Sequence, residues 1–383
     1  MNKRQKIPFN KPFIVGKELS HIRRAVTRYA HLAGAGPYTR ACHAWLEKHL
    51  RCRKAFLTTS GTAALEMAVV LFGLGPGDEV IMPSFTFVST ANACVLRGAV
   101  PVFVDIRKDS LNMDETLLEK AITPRTRAIV PVHYAGYPCA MGPIMAVARK
   151  HGLRVIEDAA QGLSSSHRGR FLGTIGHAGC ISFHETKNII SGEGGALILN
   201  EPAMIEKAEI IWEKGTDRSK FLRGETDKYT WVDVGSSYLP GELIAAFLYG
   251  QFQHAAKIIH KRRAIHKRYV RALSPLAREG RIELRDTDAT DQSNGHMFYI
   301  LTRSLEERTA LIAFLKRRGI HAVFHYVPLH SSPAGLKYAR VSGSMRVTDE
   351  ISRRLLRLPM YYEMTPADVE AVAGAVRAFY ERA

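Results

Sequence analysis

Between residues 54 and 158 the chain repeats one unit: a run of four or five residues rich in Val, Ile and Ala, then a segment of helical periodicity. The runs at 55–58, 80–83, 102–105 and 128–132 are apolar almost throughout rather than alternating, which marks strands buried on both faces, and a fifth strand at 155–158 opens on Val-Ile. Helices are predicted over 62–72, stopped by Gly73, over 86–96, over 114–122 with Asp114 as cap, and over 141–150. Strands alternating with helices in this way build a largely parallel sheet covered by helices on both faces. The fold class is α/β.

A chain of 383 residues can carry two cores. Before the repeat, residues 1–40 are punctuated by Pro8, Pro12, Gly34, Gly36 and Pro37 around one amphipathic segment at 17–29; they read as an arm laid over the body, followed by a helix at 39–50. Residues 243–273 read as one long basic helix. Beyond it, strands are expected at 281–284, 297–301 and 322–325. A helix at 305–318 would open on a capping box of Ser304 and Glu307, and a last helix would run from Thr365-Pro366 to Tyr380. The division expected is an arm plus large α/β domain over 1–250, and a connector helix plus smaller C-terminal α+β domain over 251–383.

The net charge of +18 favours anionic partners. The basic residues are dispersed, however, and no zinc-finger, homeodomain or RNP-type pattern accompanies them, so a nucleic-acid role is not expected. Nor is a membrane role: no apolar run reaches bilayer length, and the basic stretch 1–10 lacks the apolar core of a signal peptide. Five scattered cysteines without a C-x-x-C pair point to a reducing cytoplasm.

Four segments carry chemistry. A β-rich run at 180–183 delivers Lys187 into a turn, and Gly192, Gly194 and Gly195 fold the backbone back into a strand at 196–199. Alone, a lysine in a hairpin is a solvated surface group. Its company changes that. Thr58-Thr-Ser-Gly61-Thr62 joins a strand end to a helix start, where backbone N–H groups and hydroxyls bind an anion. Asp158, with Glu157 and Gln161, ends a buried strand, where a carboxylate needs a cationic partner. Phe87 follows a third strand and could stack on a flat ring. A phosphate cradle, a carboxylate for a pyridinium nitrogen, an aromatic plate and a lysine are what pyridoxal 5′-phosphate (PLP) requires. His184, His325 and His330 lack a third ligand at metal spacing, so no metal is expected.

The blocks Ile7-Pro-Phe-Asn, Thr59-Ser-Gly-Thr-Ala, Gly75-Pro-Gly-Asp-Glu-Val-Ile-Met-Pro-Ser, Glu157-Asp-Ala-Ala-Gln and Ser182-Phe-His-Glu-Thr-Lys-Asn, in this order, resemble the DegT/DnrJ/EryC1/StrS family of sugar-nucleotide aminotransferases. The resemblance implies a fold-type I PLP enzyme. It assigns Lys187 to hold the cofactor and move the proton, Asp158 to the pyridine nitrogen, Gln161 to the ring hydroxyl, and Phe87 to stacking. Gly61, Thr62 and Ser182 match phosphate-binding positions. It further implies L-glutamate as donor, a dTDP-ketosugar as acceptor, pyridoxamine 5′-phosphate as the intermediate cofactor form, and a homodimer with shared active sites. Lys214, Arg218, Tyr238, His325 and His330 are the substrate-contact candidates. The resemblance also implies an Asn reaching a partner's phosphate at the position of Leu239, where this chain departs from the family's pattern.

Overall fold

The computed structural model describes residues 6–285 and 291–381; Met1–Gln5 of the basic N-terminus lie outside the described residues. In chain order, α1 (Glu18–Arg24) and α2 (Pro37–Leu50) precede β1 (Lys54–Thr58), α3 (Gly61–Leu71), β2 (Glu79–Pro83), α4 (Val88–Val95) and β3 (Val100–Val104). Then come α5 (Leu118–Ala121), β4 (Thr126–Ile129), α6 (Met141–His151), β5 (Arg154–Asp158) and the two-residue strands β6 (Ser166–His167) and β7 (Arg170–Phe171). Next are β8 (Ala178–Ser182), β9 (Gly195–Leu199), α7 (Ile205–Trp212), α8 (Arg218–Leu222), α9 (Glu242–Phe252) and α10 (Ala255–Arg278). The C-terminal part holds β10 (Asp291–Gln292), β11 (Phe298–Leu301), α11 (Leu305–Arg317), α12 (Pro333–Tyr338), β12 (Arg340–Val341), α13 (Arg346–Arg354), β13 (Leu355–Leu358) and α14 (Pro366–Tyr380).

Eight strands form the main sheet in the order β1-β9-β8-β5-β4-β2-β3-β12. All neighbours are parallel except that β9 runs antiparallel between β1 and β8. Side chains alternate across it. Phe56, Val80, Met82, Phe103, Ile156, Cys180 and Leu197 meet α3, α4 and α7 on one face. On the other, Leu57, Ile181 and Ile198 pack on α2 and α9, while Ile81, Val102, Ile129 and Val155 pack on α6. Each such buried Val, Ile, Leu or Phe contributes about 1.5–3 kcal/mol, so the continuous apolar runs dictate the doubly covered sheet.

A second core gathers α10, α11, α14, β11 and β13, together with Ile7 from the arm. A third cluster, with Phe85, Tyr134 and Tyr137 on one side and Met297, Tyr299 and Leu355 on the other, joins the C-terminal part to the carboxyl ends of the sheet strands. Strand β12 goes further and pairs with β3, so the main sheet ends in a strand from the C-terminal part.

Four sequence expectations change. The single helix at 243–273 is two helices broken at Gln253 and His254; the break lets α9 pack on α1 and α2 while α10 turns onto α14. The strand expected at 281–284 contributes one bridge, Glu283 to Leu301, and that at 322–325 one bridge, Val323 to Arg357. At Ser304 only half of the capping box forms: its Oγ accepts the Glu307 N–H at 3.2 Å, while the Glu307 carboxylate turns to Arg303 at 2.6 Å. The complete box is at α14, between Thr365 and Asp368.

Candidate active site

The carboxyl ends of β1, β2, β5 and β8 open onto one cavity of about 620 Å³. It is lined by Gly61, Thr62, Phe87, Asp158, Gln161, Ser182, Lys187 and His325 of the sequence-predicted residues. A larger but open groove of about 760 Å³ between α11 and α13 holds none of them.

The anion cradle forms where β1 hands over to α3. Ser60 is the N-cap, its Oγ accepting the Ala63 N–H at 3.0 Å. Thr62 Oγ1 lies 2.7 Å from Ser89 Oγ, so three hydroxyls face the helix N-terminus. The turn sits against the β8–β9 hairpin with no room for larger residues. A Cβ at Gly61 would lie 2.8 Å from Ser182 Cβ, and one at Gly195 would lie 2.3 Å from Ser60 O. These two glycines are required by close approach of backbones.

Lys187 follows β8 in a loop closed by its own backbone. Phe183 N donates to Gly194 O, Ser191 N to Phe183 O, and Lys187 N to His184 O at 2.8 Å. Burial, reinforced by the charge of Arg357 and opposed by that of Asp158, lowers the ammonium from 10.5 to about 8. The neutral amine is therefore accessible near physiological pH, as a Schiff-base nucleophile needs.

Asp158 ends β5 with both oxygens held. Oδ2 accepts Thr90 Oγ1 at 2.7 Å and Oδ1 accepts the Ala160 N–H at 3.2 Å. Its neighbour Glu157 points to the other face. Burial alone would raise Glu157, but hydrogen bonds from His133 and from the Gly176 and Gly173 N–H groups outweigh it and hold the carboxyl below the ordinary range. Gln161 accepts from Ala135 N at 2.6 Å and donates to Tyr326 Oη at 2.8 Å, which fixes its amide at the cavity wall. Phe87 stays 57% exposed although it lines the cavity, leaving a bare aromatic face.

These residues fit PLP: hydroxyls and a helix N-terminus for the phosphate, a fixed carboxylate for the ring nitrogen, an uncovered aromatic for the ring and a lysine of lowered basicity. Among the described residues no group of three or more His, Cys, Asp or Glu side chains could hold a metal.

The C-terminal part supplies the far wall, most of which sequence reasoning missed: His296, Met297, Phe324, Tyr326 and Arg357, with Phe9 from the arm. His325 stacks on Tyr326 at 3.7 Å between ring centroids, and its Nδ1 lies 2.7 Å from Tyr134 Oη. His296 Nδ1 lies 3.2 Å from Asn188 Oδ1, an acceptor, so that nitrogen carries a proton. Burial first, then the cations Arg357 and Lys187, push both histidines well below their ordinary value and keep them neutral. One signal was available: Arg357 interrupts the apolar run Leu355-Leu-Arg-Leu358.

Four substrate-contact candidates lie off this cavity. Lys214 and Arg218 pair with Glu213 at 3.8 and 2.9 Å. Tyr238 is buried in the core beside α3, and its carbonyl accepts the Thr59 N–H at 3.0 Å. His330 is engaged behind the wall, Nδ1 2.8 Å from Ser84 Oγ and Nε2 3.4 Å from Asp349. Leu239 packs against Gly34 of the arm.

Residues 15–377 match the model of the DegT/DnrJ/EryC1/StrS aminotransferase family. The chain is similar to the spore coat polysaccharide biosynthesis protein SpsC of Bacillus subtilis, 32% identical over 97% of this chain and 96% of that protein. It is also similar to a pleiotropic regulatory protein of Geobacillus stearothermophilus, 32% identical over 90% of each. The crystal structure of S. venezuelae DesV in complex with a ketimine intermediate superposes with a TM-score of 0.89, at 31% identity and 99% coverage of both chains. With the family matched across nearly the whole chain and groups that fit the cofactor lining one cavity, the chain belongs to the DegT/DnrJ/EryC1/StrS aminotransferase family and is a PLP-dependent sugar aminotransferase.

Proposed function

We propose that the chain moves the amino group of L-glutamate to C4 of dTDP-4-keto-6-deoxy-D-glucose, giving dTDP-4-amino-4,6-dideoxy-D-galactose. The product would serve cell-surface polysaccharide synthesis of the enterobacterial common antigen or O-antigen type, in the cytoplasm. The substrate assignment is supported by sequence: Glu213-Lys-Gly-Thr-Asp-Arg-Ser, Asp227-Lys-Tyr-Thr-Trp, Gly235-Ser-Ser-Tyr-Leu and Phe324-His-Tyr-Val-Pro-Leu-His resemble dTDP-4-amino-4,6-dideoxygalactose transaminase. Turnover, rather than a purely regulatory role, is supported by one observation above all: Lys187 enters the cavity with its amine held near 8.

Bound PLP supplies an electron sink for the substrate carbanion. The chain's residues do the rest. Asp158, pinned by Thr90 and the Ala160 N–H, keeps the pyridine nitrogen protonated. The Ser60–Thr62 turn with Ser182 holds the phosphate, and Phe87 backs the ring. Gln161 is set at the wall for the ring hydroxyl. With the cofactor bound, Lys187 would be the base that takes the proton from the donor's α-carbon and the acid that delivers one to the sugar carbon. His296 and His325, both neutral, leave Lys187 as the titrating base on this wall.

A homodimer fits the surface. Trp231 is 77% exposed, and Leu222, Tyr229 and Val234 of the same chain segment are also solvent-facing. An apolar strip of this kind suits a partner subunit. Lys214 and Arg218, beside that strip, would then serve a neighbour's site rather than their own. Among the described residues no helix is long and apolar enough to cross a membrane.

The test is to incubate the protein with PLP, L-glutamate and dTDP-4-keto-6-deoxyglucose, and to identify the product by mass and proton couplings. An axial 4-amino sugar supports the reading. An equatorial amine or a 3-amino product keeps amino transfer and replaces the substrate assignment with a relative of different stereo- or regiochemistry.

A further inference from the structure

We propose that Arg357 anchors the α-carboxylate of the amino donor. The inference rests on the amino-transfer reading above and names the donor subsite within that cavity.

Arg357 sits in the middle of β13, opposite Tyr299 on β11, with its backbone tied to Val323 at 2.8 Å. Its side chain leaves this apolar strand and lines the cavity that contains Lys187. The guanidinium lies over Phe9, Cζ 4.5 Å from the ring centroid. A ring on one face leaves the in-plane N–H edge free for an acceptor. That edge is unused: among the described residues Nε is shielded from solvent and has no hydrogen-bond partner. Burial lowers its basicity, and the groups that oppose this are the phenols Tyr134 and Tyr326, with no carboxylate among them. Arg285 and Arg308 also have a shielded Nε without a partner, but each donates through Nη1 to a carbonyl, of Ser110 and Ser352. Three further buried or partly buried arginines have acceptors as well. Arg354 pairs with Glu283 and Glu350, Arg340 with Glu79, and Arg262 donates to three carbonyls. A shielded guanidinium without a counter-charge is costly unless a ligand supplies one.

The ligand's chemistry follows from position. Arg357 and Lys187 line the same cavity, so an anion held by the guanidinium shares that cavity with the reacting nitrogen. In an α-amino acid the carboxylate is two bonds from that nitrogen, and its two oxygens match the planar fork of a guanidinium. The pyrophosphate of a sugar nucleotide lies across the sugar ring from the keto carbon. The cofactor phosphate has its own cradle at the N-terminus of α3, built from backbone N–H groups and hydroxyls.

The experiment compares wild type with Arg357→Gln and Arg357→Lys, each loaded with PLP. Binding of 2-oxoglutarate and of dTDP is measured separately by calorimetry, with circular dichroism and PLP titration confirming fold and loading. For Arg357→Gln, 2-oxoglutarate affinity should fall about 10- to 100-fold, the loss of a charge-assisted bidentate contact. The dTDP affinity should stay within about twofold. Arg357→Lys, a point charge without the fork, should recover part of the loss. A fall in dTDP affinity instead would assign the residue to the nucleotide pyrophosphate, a fall in PLP affinity would assign it to the cofactor, and unchanged 2-oxoglutarate binding would make it structural; each overturns the proposal. No ketosugar is used, so a wrong sugar assignment leaves the result standing. If wild type itself binds no 2-oxoglutarate, the glutamate reading fails before Arg357 is tested.

Discussion

Glu157 Oε2 and His133 Nε2 lie 2.8 Å apart, both fully buried, on the opposite side of β5 from Asp158. His133 Nδ1 accepts the Cys139 N–H at 3.1 Å, and its Nε2 donates to Glu157. The other donors to Glu157 are the N–H groups of Gly173, Ile175 and Gly176, at 2.9, 2.6 and 2.5 Å. Four donors on one carboxylate tie the end of β5 to the turn that leads into β8, so the strand carrying Asp158 and the strand delivering Lys187 share one fastening.

Glu157→Gln should therefore destabilise the protein by about 3 kcal/mol, because an amide turns a donor toward groups that only donate. Urea unfolding at pH 7 checks this. Because the folded carboxyl sits below its ordinary 4.5, its stabilisation is present above that pH and is lost as pH falls further. The difference between variant and wild type should accordingly shrink in acid.

Lys187 titration is the second expectation. The neutral amine is the reactive form, so PLP capture by the apoprotein should accelerate as pH rises through about 8. A lysine at its ordinary 10.5 would show no midpoint there. Arg357→Gln should move the midpoint up and Asp158→Asn should move it down, because these charges act in opposite directions. Stopped-flow absorbance across pH 6–10 reads the midpoints.

Lys187→Ala should lower steady-state amino transfer at least about a thousandfold, the upper range of what one acid–base group contributes. Retained turnover in that variant would remove the central assignment.

Gly195→Ala drives a methyl into the Ser60 carbonyl, 2.3 Å from the new Cβ. The cost expected is about 1–3 kcal/mol in stability, with PLP affinity weakened at least about tenfold as the cradle shifts. Gly192→Ala is the control: nothing lies within 4 Å of its Cβ, and the residue carries only the strain of φ +81°, about 1 kcal/mol. Melting curves and PLP titrations of both variants separate the two effects.

Trp231→Glu places a charge in the exposed apolar strip. Sedimentation velocity should show a dimer in wild type and a monomer in the variant, with amino transfer reduced although the cavity is untouched. A monomeric wild type with full activity would end the shared-site reading.

The sheet was legible in the sequence because strands such as Ile81-Met-Pro and Val102-Phe-Val are buried on both faces and read as unbroken apolar runs. The cofactor wall was legible for a related reason: Gly61, Asp158 and Lys187 sit at strand ends, where local spacing already places ligands. The far wall was not. His296, Tyr326 and Arg357 lie more than 100 residues beyond Lys187, and tertiary contacts such as the cluster of Phe85 and Tyr134 with Met297 and Tyr299 bring them in. Strands of two residues, such as β6, β7 and β12, are too short to leave a period at all. Leu243–Leu273 misled because helical spacing continues through Gln253 and His254, and the break there is set by what each half packs against.

The pairing of Arg340 and Val341 with Val102 and Phe103 has a consequence for any attempt to express the N-terminal part alone. Arg340 also donates to Glu79, whose buried carboxyl is held at about 2 by this guanidinium despite burial, with further bonds from Thr123 and Arg125. A fragment ending at residue 250 would leave β3 as an open edge of Val and Phe, with an under-neutralised acid on the adjacent strand β2. Such an edge recruits strands from other chains, so the expected product of truncation is self-associated material rather than a working half-enzyme.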